Sequence, residues 1–417
     1  MKIKKTESIM VAIPQNGEDC KNIDVIMENI KSSKDYEFIS ESFEEEELVI
    51  KVKYKEEEYD VRLFPINVEI PEMFKTLHIF SDMDIKKIEA AEIGVLIALD
   101  FGENPLDSYH LQVKLANAMF DDLLVVIDES SEKLLSGKWV KLCAASKVAP
   151  SPKYIYTVQA ISSNVDSSIW LHTHGLNRCG LPELEIIDSD QEMYYGHYNV
   201  IDTMGRRLLE IDIDEIEENE PIYLARITED IPFWATLINW KEALEDYDED
   251  VLGKEADRDD FHMVDTCVIC CYPTPEAFEN REYAPVSVFD EFLEDNPIYM
   301  LSQEETLRMK ALATERVNYL VKYSKDEEAN ILVKIGLEVD DEYKDDENAV
   351  NMEHIWFELH KVENGKLVAE LTQEPYYVKD LHPGDVREVE FANITDWIIY
   401  KDGRGYTPDD VYMLDEA

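Results

Sequence analysis

Two continuous apolar runs on either side of a helical pattern constrain the fold of this chain most strongly. IGVLIAL occupies residues 93–99 and LLVVI occupies residues 123–127. Apolar runs without alternation are typical of strands that are buried on both faces. The intervening SYHLQVKLANAMF has helical spacing, so the sequence predicts a strand–helix–strand unit that is compatible with one βαβ crossover. Its turn, DFGENPLDS, has one glycine and no lysine, which excludes a phosphate-binding loop of the Walker type.

Shorter strand patterns recur along the first three hundred residues, with helical segments between them. ELVIKVKY and EYDVRLF alternate like paired strands, and IWLHTH, LEII, IYLARI, WATLINW and MVDTCVICCY also read as strands. Ser189 and Glu192 form a capping-box pattern that predicts the start of a helix. The chain has 417 residues, enough for about two to four domains. We predict a multi-domain α+β protein of mixed sheets and packed helices, with an N-terminal α+β domain at 1–150 and a central one at 151–300.

The last part of the chain, 301–417, predicts a helix followed by a small β domain. Ser302 and Glu305 form a second capping box at the start of the helix. Asn364-Gly365 lies between two strand patterns and is a strong hairpin signal. About five short strands after one helix predict a small curled sheet or a partly open barrel.

The charge balance excludes some classes of partner. The chain has 92 acidic and 40 basic residues, a formal net charge of −52. Such a surface repels nucleic acid and anionic membranes, so neither is expected as a partner. The charge can serve solubility alone, or it can match a basic protein partner such as a cationic enzyme that this protein covers.

The cysteines and the apolar segments bear on the compartment. Six cysteines at irregular positions do not suggest a disulfide framework. The N-terminal apolar run is short and ends at Pro14, unlike a signal peptide, and no run approaches the roughly 18 apolar residues of a membrane helix. We therefore expect a soluble, cytoplasmic protein, and the sequence leaves its oligomeric state open.

The densest group of chemically active side chains is WLHTHGLNRCGLPELEI, residues 170–186. On a strand, His172 and His174 point to one face and could chelate a metal ion. Cys179 or Glu183 could add a third ligand, and Glu185 shares the face of Glu183. The spacing lacks the paired patterns of structural metal sites, so the alternative is a strand–turn–strand whose histidines pair with carboxylates. We predict the strand–turn–strand, with these polar side chains as the first candidates for a binding site, and no bound cofactor.

Other candidate motifs favour structure over chemistry. In CVICC, strand alternation turns Cys267 and Cys270 to opposite faces, which favours buried thiols over a redox pair. In the last domain, His354, Trp356 and Trp397 could form a binding face, or the tryptophans could fill the core while Asp396 caps a turn. The common nucleophile motifs are absent.

The last hundred residues resemble the bacterial family of domains of unknown function numbered 2314. The resemblance spans about 302–410 and is carried by EHIWFEL, GKLVAELTQEP, LHPGD, ITDWIIY and DGRGYT. Its fixed points fall on Glu353, His354, Trp356, Pro375, Gly384, Asp385, Asp396 and Trp397. The larger N-terminal part resembles the related family numbered 4026, and THGLNRCGLPELEI is similar to a segment of family 4261. These resemblances imply a domain boundary and no known activity.

Three functional hypotheses follow. The first is a non-catalytic binding protein whose acidic surface engages a basic partner, as an immunity or antagonist protein would. The second is a metal-dependent hydrolase that uses His172, His174 and Glu183. The third is small-ligand sensing by the C-terminal domain.

Overall fold

The computed structural model divides the chain into two compact units. It describes residues 3–44, 47–77, 80, 83–211, 219–227, 231–248, 251–258, 262–263, 265–293, 303–344 and 351–416. Residues 1–145 and 152–300 form the first unit, and residues 146–151 and 301–417 form the second. The first unit contains two sheets, and the second contains one. This is the predicted multi-domain α+β class.

The first sheet contains seven antiparallel strands in the order β2-β3-β4-β5-β1-β6-β7. The strands are β1 Ser8–Pro14, β2 Glu37–Glu44, β3 Glu47–Tyr54, β4 Glu57–Asn67, β5 Ile93–Leu99, β6 Leu123–Asp128 and β7 Lys133–Ser136. Every second residue of β3 is buried, as its alternating sequence predicts.

The predicted strand–helix–strand unit forms with an extra strand inside it. The helix α4, Pro105–Met119, joins β5 to β6. Both strands pair antiparallel with β1, so they run parallel to each other on its two sides. Asn104 caps α4 by accepting a hydrogen bond from the Asp107 amide, and Pro105 occupies the first turn.

The second sheet contains seven strands and one parallel pair. Its order is β11-β12-β13-β10-β9-β8, and β14 pairs with β13. Only β10 and β13 run parallel within this path. The strands are β8 Thr157–Ser162, β9 Ser168–His174, β10 Glu183–Asp190, β11 Ile222–Arg226, β12 Pro232–Asn239, β13 Thr266–Cys271 and β14 Ala284–Pro285.

The other described helices of the first unit are α1 Ile23–Ser32, α2 Glu72–Leu77, α3 Ile85–Glu89, α5 Gly137–Ala145, α6 Tyr194–Leu208, α7 Trp240–Ala243, α8 Pro275–Asn280 and α9 Asp290–Leu293. None of the described helices is long and apolar enough to cross a membrane. The predicted cap of α6 at Ser189 is wrong. Ser189 lies in β10, and the Asp190 carboxylate accepts hydrogen bonds from the amides of Glu192 and Met193 instead.

A buried lysine on β7 links the two halves of the first unit. The Lys133 ammonium donates a hydrogen bond to the Tyr156 carbonyl at 2.8 Å. Burial lowers the pKa of Lys133 from 10.5 to about 7, because the charged form loses its hydration. The folded protein therefore binds one proton fewer than the unfolded chain between these two pH values.

This lysine gives a pH-dependent contribution to stability. Since the folded state has the lower pKa, the free energy of unfolding should rise with pH through this window, by up to about 1.4 kcal/mol per pH unit. Lys133→Met removes that contribution. Urea unfolding at pH 6 to 9 should show a stability difference between variant and wild type that changes above pH 7. If the free energies of unfolding of the variant and the wild type change with pH in the same way, the buried state of this amine is contradicted.

The described residues of the second unit form one open six-stranded antiparallel sheet and two α-helices. Its order is β18-β17-β16-β15-β19-β20. The helices are α10 Gln303–Glu315 and α11 Val317–Tyr323. The strands are β15 Asn330–Glu338, β16 Met352–Glu363, β17 Lys366–Leu371, β18 Val386–Glu390, β19 Ile394–Lys401 and β20 Arg404–Tyr406. As predicted, a helix precedes a small β-sheet here, and among the described strands this sheet is not closed into a barrel. Ser302 lies outside the described residues.

The predicted hairpin joins β16 to β17. Glu363 pairs with Lys366, and the two residues between them, Asn364 and Gly365, have φ values of 52° and 76°. Positive φ at both central positions is the requirement of the tightest hairpin turns, which explains the Asn-Gly sequence.

Candidate functional site

The candidate site begins with the alternation of β9. Trp170, His172 and His174 are spaced two residues apart and line one face of the second sheet. The imidazole centroids of His172 and His174 are 4.9 Å apart. This placement agrees with the sequence analysis.

A third histidine, His262, joins this pair from a segment that follows the acidic stretch 242–260. Its ring centroid lies 4.5 Å from that of His172 and 5.1 Å from that of His174. Each histidine offers a ring nitrogen, and the three nitrogens lie within 4.8 Å of one another. A point therefore exists within about 2.8 Å of all three nitrogens, close to the bond length of about 2.0–2.1 Å between zinc and imidazole nitrogen.

His172 is the most deeply buried of the three histidines. Its relative exposure is 1%, and neither ring nitrogen has a hydrogen-bond partner among the described residues. Burial, with a further contribution from His174 and His262, lowers the pKa of His172 well below its ordinary value. The ring is therefore neutral at physiological pH and presents a lone pair on one of its two nitrogens, the form in which histidine binds metal ions.

His174 lies at the solvent side of the cluster, with 11% of its side chain exposed. Its Nδ1 is 3.7 Å from a carboxylate oxygen of Glu132. The other oxygen of Glu132 accepts a hydrogen bond from the Gln159 side-chain amide at 2.8 Å. A carboxylate beside one ring nitrogen orients the imidazole.

A buried ion pair supports the segment that carries His262. The Arg258 guanidinium donates hydrogen bonds to both carboxylate oxygens of Glu185, at 2.7 and 2.5 Å. Both side chains are fully buried. Burial raises the pKa of Glu185, and Arg258 opposes that effect. Arg258 also lies over the rings of Trp170 and Trp240, with its guanidinium carbon 5.0 and 4.1 Å from their centroids.

Glu183 and Cys179 serve the turn after β9 instead of the histidine cluster. The Glu183 carboxylate accepts hydrogen bonds from the Thr173 hydroxyl at 2.7 Å and from the Gly175 and Asn177 amides at 2.8 and 3.1 Å. Burial raises the pKa of Glu183 to about 7 and that of the Cys179 thiol to about 12. Neither residue belongs to the ligand group that the described histidines form.

The glycine in this turn is required by its backbone. Gly175 has a φ of +113°, and a Cβ atom there would lie 2.6 Å from the Ile155 carbonyl oxygen. Both constraints exclude a side chain. The turn therefore has the structural role that the sequence analysis considered for this segment, and it coexists with the histidine cluster.

The same turn carries a second buried ion pair, which joins the two halves of the first unit. Arg178 donates to both carboxylate oxygens of Asp128, at 2.8 and 3.0 Å, and to the Ser8 hydroxyl at 3.1 Å. Both charged side chains are 0% exposed. A further hydrogen bond runs from Arg178 to the Ile155 carbonyl.

The tryptophans of the second unit lie on opposite faces of its sheet. Trp397 is fully buried, and its indole nitrogen donates to the Ala313 carbonyl at 3.0 Å. Trp356 pairs in register with Lys334, one position away from the partner of Trp397, and its ring lies 5.5 Å from the Lys334 ammonium. The two tryptophans therefore do not form one binding face. Asp396 accepts a hydrogen bond from the Trp397 amide.

The fold and the site define a multi-domain α+β protein with a three-histidine cluster on the face of its second sheet. Family models match three segments: the "Protein of unknown function (DUF4026) N-terminal" at 8–150, its C-terminal counterpart at 156–270, and the "Uncharacterized protein conserved in bacteria (DUF2314)" at 310–412. The chain belongs to the DUF4026 family and carries a DUF2314 module. Neither the curated proteins nor the solved structures contain a match.

Proposed function

We propose that this protein binds a divalent transition-metal ion, with Zn²⁺ as the best fit, through His172, His174 and His262. The observation that carries the proposal is the convergence of three imidazoles around one point, with His172 buried and its nitrogens unpaired among the described residues. Imidazole nitrogens suit zinc and its first-row neighbours. A buried polar ring without partners costs stability, and a bound ion supplies a partner for one of its two nitrogens.

The spacing requires only a small adjustment on binding. Ligand nitrogens of one tetrahedral zinc ion lie about 3.3 Å apart, because the bonds are about 2.0–2.1 Å long. In the structure, the three histidine nitrogens lie up to 4.8 Å apart. Small rotations of His174 and His262, which are less buried than His172, close this difference.

Three histidine ligands favour an open, catalytic type of centre over a closed structural one. Structural zinc sites use four protein ligands, whereas catalytic sites keep one position for water or substrate. With an ion bound, that position would hold a water of lowered pKa, which supports a hydrolytic activity. The proposed ligand set shares His172 and His174 with the hydrolase hypothesis. Its third ligand is His262 and not Glu183.

Zinc titration of the metal-free, untagged protein tests the proposal. We expect calorimetry to show one saturable site per chain, and thermal unfolding to shift upward as zinc is added. At a zinc concentration of 100 times Kd, the gain in stability is about 2.7 kcal/mol. His174→Ala/His262→Ala should lose the site, while His360→Ala, at a partly exposed position of the second unit, should keep it. Equal zinc binding by all these proteins would refute the proposal.

The basic protein partner and the ligand-sensing role of the C-terminal domain stay predictions. The first rests on the net charge of −52, which concerns association in general and selects no surface. The histidine cluster is the more specific guide to function because it places defined atoms at defined distances.

A further inference from the structure

The third ligand of the proposed site depends on a residue that does not itself bind the ion. Arg258 donates a hydrogen bond from Nη1 to the main-chain carbonyl of His262 at 2.9 Å. The same guanidinium is fixed to Glu185 of β10. In the sheet, Glu185 pairs directly with His172. One guanidinium therefore connects the strands of the site to the main chain of His262.

We infer that Arg258 is the positioning residue of the metal site, because it holds His262 where it completes the pair on β9. The consequence for metal binding rests on the proposed function. The role itself follows from the shape of the guanidinium, whose planar fork donates to a carboxylate and to a carbonyl at the same time. A lysine ammonium carries the charge but lacks that fork.

The rest of the segment is arranged around the same guanidinium. Arg258 Nε donates to the Gly253 carbonyl at 2.8 Å, and the Gly253 amide donates to the Asp257 carboxylate at 3.1 Å. Gly253 has a φ of +94°, and a Cβ atom there would lie 3.1 Å from the Trp170 ring. Residues 253–258 thus form a turn that places Gly253 against the Trp170 ring and is closed by the hydrogen bond from Arg258 to Gly253.

This arrangement makes the metal site a two-part site. His172 and His174 belong to β9 of the sheet. His262 lies outside the sheet, and its main chain is joined to β10 through Arg258 and Glu185. A change at Arg258 therefore weakens metal binding without touching a ligand.

Removal of both partners of the ion pair tests this role. Glu185→Gln/Arg258→Met avoids leaving a buried charge alone, so the chain is expected to fold. Zinc affinity should fall by about 10- to 100-fold, the usual effect of losing a group that orients a ligand. Cobalt-loaded protein should lose the intense visible bands of a low-coordinate site. Arg258→Lys should recover only part of the affinity. The control is Glu305→Gln/Arg308→Met, which removes an ion pair of the second unit and should change neither property.

A double-mutant cycle and a metal-free measurement separate the possible outcomes. If Arg258 acts through His262, then His262→Ala should cost much less affinity in the Glu185→Gln/Arg258→Met background than in the wild type. An equal loss of zinc affinity in the two backgrounds would overturn the inference.

In the metal-free protein, acylation of His262 by diethyl pyrocarbonate should be faster in the double variant, while His360 reacts as before. Faster acylation without zinc binding by the wild type would leave the positioning role standing and remove the proposed function. Unchanged acylation would refute the positioning role.

Discussion

Asp128→Asn is expected to lower the free energy of unfolding by about 3–5 kcal/mol, the usual cost of removing one partner from a buried ion pair. Asp128 and Arg178 are both 0% exposed and are joined by two hydrogen bonds. An asparagine leaves the guanidinium buried without a counter-charge. Arg178 comes from the turn after β9 and Asp128 from the end of β6, so the loss should appear as weaker joining of the two halves of the first unit. Urea unfolding followed by tryptophan fluorescence measures the difference.

Two variants test the physical reason for this loss. Asp60→Asn makes the same change in the exposed pair with Lys51, and it should cost less than about 1 kcal/mol. Asp128→Asn/Arg178→Met removes both buried charges and should regain much of the stability, because no charge is then left alone. A double variant as unstable as Asp128→Asn would indicate that the lost contacts, and not the isolated charge, cause the effect.

The parts of the fold that follow from local patterns were predictable. Strand alternation placed His172 and His174 on one face of β9, and the Asn364-Gly365 turn predicted the β16–β17 hairpin. Both depend on the period of a strand or on the φ preference of one residue, which neighbours along the chain determine. The insertion of β1 between β5 and β6 was not predictable, because it depends on pairing between distant segments.

The site residues that the sequence analysis missed share a different property. Arg258 belongs to the acidic stretch 242–260 and His262 follows it, and a run of like charges is typical of a solvated segment. Their roles arise from packing against Trp170 and Trp240 and from pairing with Glu185, contacts made across long separations in the chain. Strand alternation also predicted that Glu183 and Glu185 lie on the same face of their strand. Glu183 instead turns toward the Gly175 loop, because it is the first residue of β10 and three donors, one at the end of β9 and two in the turn, are within reach.

His172→Phe should raise stability without zinc and remove most of the stabilisation by zinc. In the metal-free protein, phenylalanine keeps the ring contacts with Trp170 and removes two buried nitrogens that have no partner among the described residues. Because an unsatisfied buried polar group costs about 1–3 kcal/mol, the free energy of unfolding should rise by about that amount. With zinc at 100 times the wild-type Kd, the wild type gains about 2.7 kcal/mol and the variant gains almost none, so the lead of the variant shrinks by more than 2 kcal/mol or is lost.

The size of the zinc effect and a control variant distinguish a metal ligand from an ordinary buried histidine. Zinc sites with four protein ligands bind with about 10–16 kcal/mol, or about 3 kcal/mol per ligand, so loss of His172 should weaken binding by about 100-fold or more. His197 is the matched control, because it is equally buried but bonds Ser189 at 2.9 Å and Asp290 at 3.0 Å. His197→Phe should destabilise the protein in both conditions and keep the zinc response. If His172→Phe behaves like His197→Phe in a comparison of thermal unfolding with and without zinc, then His172 is an ordinary core residue and the metal site is wrong.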